Sequence, residues 1–184
     1  MDATIRRLET ADAAAVARLL DHAVGAGFWH LPRDGDLSFA AVADTGPAGV
    51  VLAALEPPGD VDARFPFGRR LVPAVPPAAV LHVHAVAVAP RARRSGLARR
   101  LLARAEQEAA DQGASVAYLF AWLPAGRPDP GAVRLYRAAG YDAGPDIGDF
   151  YAAGSLFTAS HGPYCGPPPC RCAARPFVKR LASA

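Results

Sequence analysis

Ala79 to Val88 reads AVLHVHAVAV, a nearly unbroken apolar run, and the chain then turns through APRARRSG into the periodic stretch LARRLLARAEQEAADQG. A strand apolar on both faces has to be covered on both, so it belongs near the centre of a sheet. Pro90 ends it, since proline has no N–H to offer a ladder. Ser95 is placed to cap a helix predicted to run to about Gln112, with Gly113 in the C′ position. Leu97, Leu101, Ala105 and Ala109, with Leu102 beside them, give that helix one apolar face. A central strand that opens through a short loop into an amphipathic helix limits the fold to one with a covered sheet.

The flanking segments fit that frame. ATIRRLE reads as a strand, and Thr10 or Asp12 can cap the helix AAAVARLLDHAV. GAGFWHLPRDGD is a loop. LSFAAVAD and VVLAALEP, joined by DTGPAG, predict a β-hairpin. Residues 57–77 are rich in Pro, Gly and Arg and predict a long loop. SVAYLFAWL is a second central strand, PAGRPDPG a loop, and AVRLYRAAG a short helix ending at Gly140. A strand near residues 151–158 and a terminal strand near 176–181 complete the prediction. The 184 residues carry no internal repeat and no linker. They predict one domain, a mixed α/β sheet with helices on its faces and a Cys/Pro-rich insertion at about 160–174.

The loop after the strand concentrates charge. Arg91, Arg93, Arg94, Arg99, Arg100 and Arg104 crowd a Ser-Gly step, although the whole chain is only +3. The first amides of a helix have no intrahelical partner, and the dipole is positive there. Gly96 lacks the Cβ that would hold an anion off the backbone, and arginine offers forked donors suited to phosphate. Neither GxxxxGK[ST] nor GxGxxG is present, so the site is not a Walker loop or a dinucleotide fingerprint. The spacing is Arg93-x-x-Gly96-x-Ala98. Arg100 and Arg104 read as a solvated helix face. A nucleic-acid surface would need basic residues spread over a face with stacking aromatics, and the mild net charge does not call for one.

The R-x-x-G-x-A spacing after a Val-x-Val-x-Pro strand end resembles the acyl-CoA pyrophosphate loop of the GNAT superfamily of N-acetyltransferases. Ala132 to Tyr141, AVRLYRAAGY, is similar to the A-x-x-L-Y-x-x-x-G-F/Y segment of the same family, and one helix and one strand separate the two pieces. The resemblance covers roughly residues 3–158 and the terminal strand. It implies a mostly antiparallel sheet splayed between the fourth and fifth strands, with helices on both faces. It implies acetyl-CoA as cosubstrate and acetyl transfer to a primary amine by direct attack in a ternary complex.

By the same resemblance, Val86, Ala87 and Val88 present backbone groups to the pantetheine arm. Backbone amides of Arg94, Ser95, Gly96, Leu97, Ala98 and Arg99 hold the pyrophosphate, with Arg91 and Arg93 adding charge. Tyr136 falls where the family keeps a tyrosine that protonates the departing thiolate. Asp129 sits where the family commonly has an asparagine on the CoA arm; a carboxylate cannot donate as an amide does, so this is a departure. Some members carry a glutamate base fourteen residues before the loop glycine, and that count from Gly96 reaches His82. His82 and His84 are two apart and nominally share a face, unless a bulge splits them. A GNAT-like domain that binds acyl-CoA without turnover, as a sensor or scaffold, is the alternative; Tyr136 speaks against it.

HGPYCGPPPCRC gathers His161, Cys165, Cys170 and Cys172, and it holds every cysteine of the chain. The set matches Cys₃His for zinc in residue type, though H-x₃-C-x₄-C-x-C is no standard finger spacing. A redox pair such as Cys165 with Cys170, or a reduced surface loop, are the other readings. Acids and arginines occupy the N-terminus where a leader would be apolar, and no run is long enough to cross a bilayer. The expectation is a cytoplasmic protein with no membrane or nucleic-acid partner. A small-molecule or peptide amine is the expected acceptor, and a homodimer is within the family's range. Phe28 and Trp29 in the loop at 27–30, with Trp122, are candidate pocket walls.

Overall fold

The computed structural model describes residues 3–25, 36–58, 79–125, 131–152, 165 and 169–182. In chain order the elements are β1 (Thr4–Arg7), α1 (Ala13–Val24), β2 (Phe39–Ala43), β3 (Gly46–Glu56), β4 (Ala79–Val88), α2 (Leu97–Asp111), β5 (Ala114–Leu123), α3 (Gly131–Ala138), β6 (Asp142–Ala143) and β7 (Ala173–Arg180). The described strands make one sheet in the order β1-β2-β3-β4-β5-β7-β6. Every neighbouring pair is antiparallel except β4 and β5, which the α2 crossover makes parallel. This is the mixed, mostly antiparallel α/β sheet that the sequence predicts, with β4 and β5 at its centre. Among the described residues no helix is long and apolar enough to cross a membrane.

Side-chain alternation assigns the two faces. On β3, Val51 and Ala53 pack in one cluster with Leu97, Leu101, Leu102, Ala105 and Ala109 of α2. Val50 and Leu52 pack in another, with Val16, Leu19 and Leu20 of α1. One helix therefore covers each face, and Val133 and Tyr136 bring α3 to the α2 side. The α2 residues buried here are those of its predicted apolar face. Gly49 lets α2 approach closely: a Cβ there would lie 3.0 Å from Leu101 Cδ1 and 3.3 Å from the Ala87 carbonyl.

β4 breaks the alternation. Ala53 pairs with Val83 and Leu52 with Ala85, so His84 is an extra residue that the β3–β4 register skips. Because the side-chain period is two, one inserted residue exchanges the faces. Leu81 and Val83 face α2, whereas Ala85 and Ala87, in step with them by number, face α1. Val86 and Val88 turn instead toward the α2 side.

Local capping differs from the prediction in places. Asp12 starts α1, but it works reciprocally with Glu9: the Glu9 amide donates to Asp12 Oδ2 at 3.0 Å. Thr10 takes no capping role. Gly96, at φ +79°, is the N-cap of α2 in place of Ser95, whose hydroxyl donates back to the Ala92 carbonyl at 2.7 Å. The hairpin turn shrinks to Asp44 and Thr45, and β3 starts at Gly46. β7 starts at Ala173, ahead of Pro176, and β6 is a two-residue edge strand that no periodicity signals. Tyr151 lies in a turn and Ala152 is helical, and the rest of the strand predicted at 151–158 lies outside the described residues.

Asp12 is 6% exposed and takes 2.7 Å and 3.0 Å bonds from Arg6, which hold its carboxyl below the usual range. A depressed folded-state pKa contributes stability above the unfolded pKa that is lost as the pH falls through the folded one. Asp12→Asn should cost about 1 kcal/mol at pH 7, a Tm drop of about 2–4 °C in a chain of this size. The gap between the two melting temperatures should hold down to about pH 4 and close as the pH falls further through the depressed folded-state pKa; a gap that persists undiminished well below about pH 4 would rule out the charged pair.

Candidate functional site

β4 and β5 are hydrogen-bonded from Ala79↔Ala114 to Val83↔Leu119 and then part. The parting comes one residue before the bulge at His84, which turns β4 away from its neighbour. Beyond it, residues 84–88 lie beside no β5 partner, while residues 120–123 of β5 keep only β7. The wedge between them is a cleft of about 870 Å³. Val83, His84, Ala85, Val86, Ala87 and Val88 form one wall, Phe120 and Trp122 the opposite wall, and Leu135 and Tyr136 reach it from α3.

The arginine loop closes one end. Pro90–Ala92 makes a single 3-10 turn, and Arg94 and Gly96 both take positive φ. Those two left-handed residues fold the loop back so that α2 starts against the cleft. Ala92, Arg93, Arg94, Gly96, Leu97, Ala98 and Arg99 all line it. The amides of Leu97, Ala98 and Arg99 come before the first intrahelical donor, Arg100, which bonds Gly96 O at 3.1 Å. A Cβ on Gly96 would meet no protein atom within 4 Å, so it would project into open space beside these amides. Arg93 Nε holds the Val88 carbonyl at 3.2 Å, which ties the strand end to the loop. Arg91 turns away to the Thr45 hydroxyl at 2.8 Å and does not line the cleft, and neither does Ser95. Arg100 bonds the Ala3 carbonyl and Arg104 pairs with Glu108, the helix-face roles the sequence suggests.

Tyr136 is 7% exposed and packs against Phe177 and Tyr141, with ring centroids 5.4 and 6.2 Å away. Burial pushes its phenol up to about 12, so it carries its proton throughout the neutral range. Tyr151, also on the cleft, is raised by burial and then by Tyr136 and the nearby cysteines.

At the other end His82 Nδ1 lies 3.0 Å from Glu56 Oε1, and the Tyr118 hydroxyl donates to Glu56 Oε2 at 2.5 Å. Tyr118 stacks on the His82 ring at 4.3 Å, and the His84 ring sits 4.0 Å away. The bulge therefore does not split the two histidines; inserted at His84 itself, it leaves their rings side by side in the cleft. A carboxylate only accepts, so Nδ1 is the donor in this pair, and in the neutral ring the lone pair falls on Nε2. Glu56 and Tyr118 are the functional candidates that sequence reading misses. The signal was there in part: Glu56 ends the strand antiparallel to the one bearing His82.

The three cysteines are free thiols whose sulfurs converge: Cys165 lies 3.4 Å from both Cys170 and Cys172. Cys165 and Cys170 line the cleft. Burial pushes the Cys165 thiol up to about 12. Burial also opposes ionisation of Cys172, but hydrogen bonds from the Ala125 amide, Cys170, Trp122 and Cys165 outweigh it and hold that thiol below its usual range. Asp129, His161, Phe28 and Trp29 lie outside the described residues.

Residues 5–141 match the Acetyltransferase (GNAT) family. Among solved structures, the chain is similar to the ribosomal-protein-S18-alanine N-acetyltransferase of Escherichia coli, at 17% identity and a TM-score of 0.66, covering 100% of this chain and 96% of that one. It is also similar to Arabidopsis thaliana NAA60 in complex with a bisubstrate analogue, at 14% identity and a TM-score of 0.73, with 100% of both chains covered. A third is the Drosophila melanogaster polyamine N-acetyltransferase, at 18% identity and a TM-score of 0.64, covering 98% of this chain and 100% of that one. Identities this low speak to the fold alone. Among curated proteins none matches by sequence.

Removing one phenol tests the burial of Tyr136. At pH 10 an ordinary tyrosine is about half ionised. Wild type and Tyr136→Phe should therefore show the same phenolate absorbance at that pH; a deficit of about half an equivalent in the variant would mean that Tyr136 is not shielded.

Proposed function

The chain belongs to the GNAT acetyltransferase family, and from that premise we propose that it moves an acetyl group from acetyl-CoA to a primary amine by direct attack in a ternary complex. One observation carries the reading. The unpaired edge of β4 leads without interruption into the free amides at the start of α2, and both face the cleft that Tyr136 lines. An amide-bearing arm can pair with residues 86–88 as an added strand would. A pyrophosphate can then lie on the amides of residues 94–99, with Arg93, Arg94 and Arg99 around it.

The chemistry follows from the groups at hand. The ammonium of the acceptor loses one proton to His82 Nε2, held in place by Glu56. The nitrogen lone pair then attacks the thioester carbon. As the C–N bond is completed and the C–S bond breaks, Tyr136 gives its phenolic proton to the departing sulfur. The new amide nitrogen sheds a second proton, which restores the phenol, and His82 returns its own to solvent. One proton is released per turnover.

The lining favours a particular acceptor. Among the described residues on the cleft there is no carboxylate, while Arg93, Arg94, Arg99 and Arg134 line it. A polycation would find no counter-charge there, so we favour a single amine on a peptide or small molecule. Phe120, Trp122 and Tyr151 offer apolar contact for its body. Free thiols suit work in the reducing cytoplasm.

Gly96→Glu should abolish acetyl-CoA binding in calorimetry by filling and charging the loop, at a cost of about 1–2 kcal/mol in stability for the left-handed backbone. Unchanged affinity would refute the role of the loop. Tyr136→Phe should lower kcat about 10²–10⁴-fold while acetyl-CoA affinity stays near wild type; full turnover would make Tyr136 a packing residue. His82→Ala should also lower kcat, with Glu56→Gln less severe because it acts only through the ring. Equal activity of all three proteins would remove His82 from the mechanism.

A further inference from the structure

The sulfur cluster is unused by the acetyl-transfer mechanism, and its geometry does not depend on that mechanism. We propose that Cys165, Cys170 and Cys172 together hold one Zn²⁺ ion that fixes the segment leading into β7. The three sulfurs lie within 4.8 Å of one another, with 3.4 Å from Cys165 to each of the other two. A tetrahedral zinc with Zn–S of about 2.3 Å sets its sulfurs about 3.8 Å apart. A disulfide needs about 2.05 Å. The observed spacing is a few tenths of an ångström from the first arrangement and more than an ångström from the second. A disulfide would also use two sulfurs and leave the third buried among them, whereas one thiophilic ion engages all three.

The surroundings point the same way. The Cys172 amide donates to Cys170 Sγ at 3.4 Å. N–H groups aimed at sulfur suit thiolate ligands far better than neutral thiols, which are weak acceptors, and such outer bonds orient metal ligands. Cys170 and Cys172 are 2% and 1% exposed, so an ion there is shielded. Binding needs no oxidant: each S–H becomes S–Zn and its proton passes to solvent. Since Cys165 and Cys170 line the cleft beside Tyr151, the ion would fix the wall on the acceptor side.

The test is the metal content of the full chain, purified under reducing conditions, stripped with a chelator and returned to Zn²⁺. One zinc per chain should bind, with release of about three protons and a higher Tm. Co²⁺ in its place should give intense thiolate-to-metal absorption that Zn²⁺ abolishes. Cys170→Ser and Cys172→Ser should weaken zinc by about 100-fold or more, whereas a His82→Ala/His84→Ala variant should keep it. The wild-type cobalt spectrum guards against variants that merely misfold. A wild-type chain that takes up no zinc and shows no thiolate band overturns the proposal. So does zinc that follows His82 and His84 in place of the cysteines, or thiol counting that finds one disulfide and one free cysteine.

Discussion

His84 is the residue that the β3–β4 register skips, and the remaining architecture follows from where it falls. One extra residue in a central strand exchanges the faces of everything after it, so Ala85 and Ala87 serve the α1 side while Val86 and Val88 turn to α2. The same kink ends the parallel pairing with β5 at Val83. A buried sheet normally has no vacant backbone groups, because leaving them unpaired is costly. Here β5 leaves one edge of residues 85–88 without a neighbouring strand along the cleft, with Arg93 Nε already on the Val88 carbonyl, and a ligand with its own amides can pair along the rest.

The two ends of that cleft use different physics. At the loop end, fixed dipoles and permanent charge dominate: left-handed Arg94 and Gly96 aim the first amides of α2 inward, and arginines surround them. At the other end, burial and hydrogen bonding decide. Tyr136 stays protonated because its surroundings exclude water, and His82 is oriented by a carboxylate that Tyr118 also holds.

Much of this was legible in the residues. The apolar run at 79–88, the stop at Pro90 and the spacing of Leu97, Leu101 and Ala105 placed the central strand and its helix without ambiguity, because burial on both faces leaves few alternatives. Arg93-x-x-Gly96-x-Ala98 and the segment through Tyr136 located the cleft. Ser95 does not cap α2 because the left-handed turn at Gly96 directly precedes the helix and the Ser95 hydroxyl is taken by the Ala92 carbonyl, and Arg91 is drawn away by Thr45, a partner 46 residues distant. Glu56 and Tyr118 stayed hidden because their approach to His82 depends on strand register across a bulge, which no local pattern encodes. The convergence of the three sulfurs was visible only as crowding in sequence; their common centre required the fold.

Backbone hydrogen exchange measured with and without acetyl-CoA bears most directly on the claim that unpaired backbone is the cosubstrate site. Binding should slow exchange at residues 84–88 and 94–99 and leave β1 and β2 unchanged. Protection that falls elsewhere, or exchange in those two stretches that acetyl-CoA does not alter, would contradict the account.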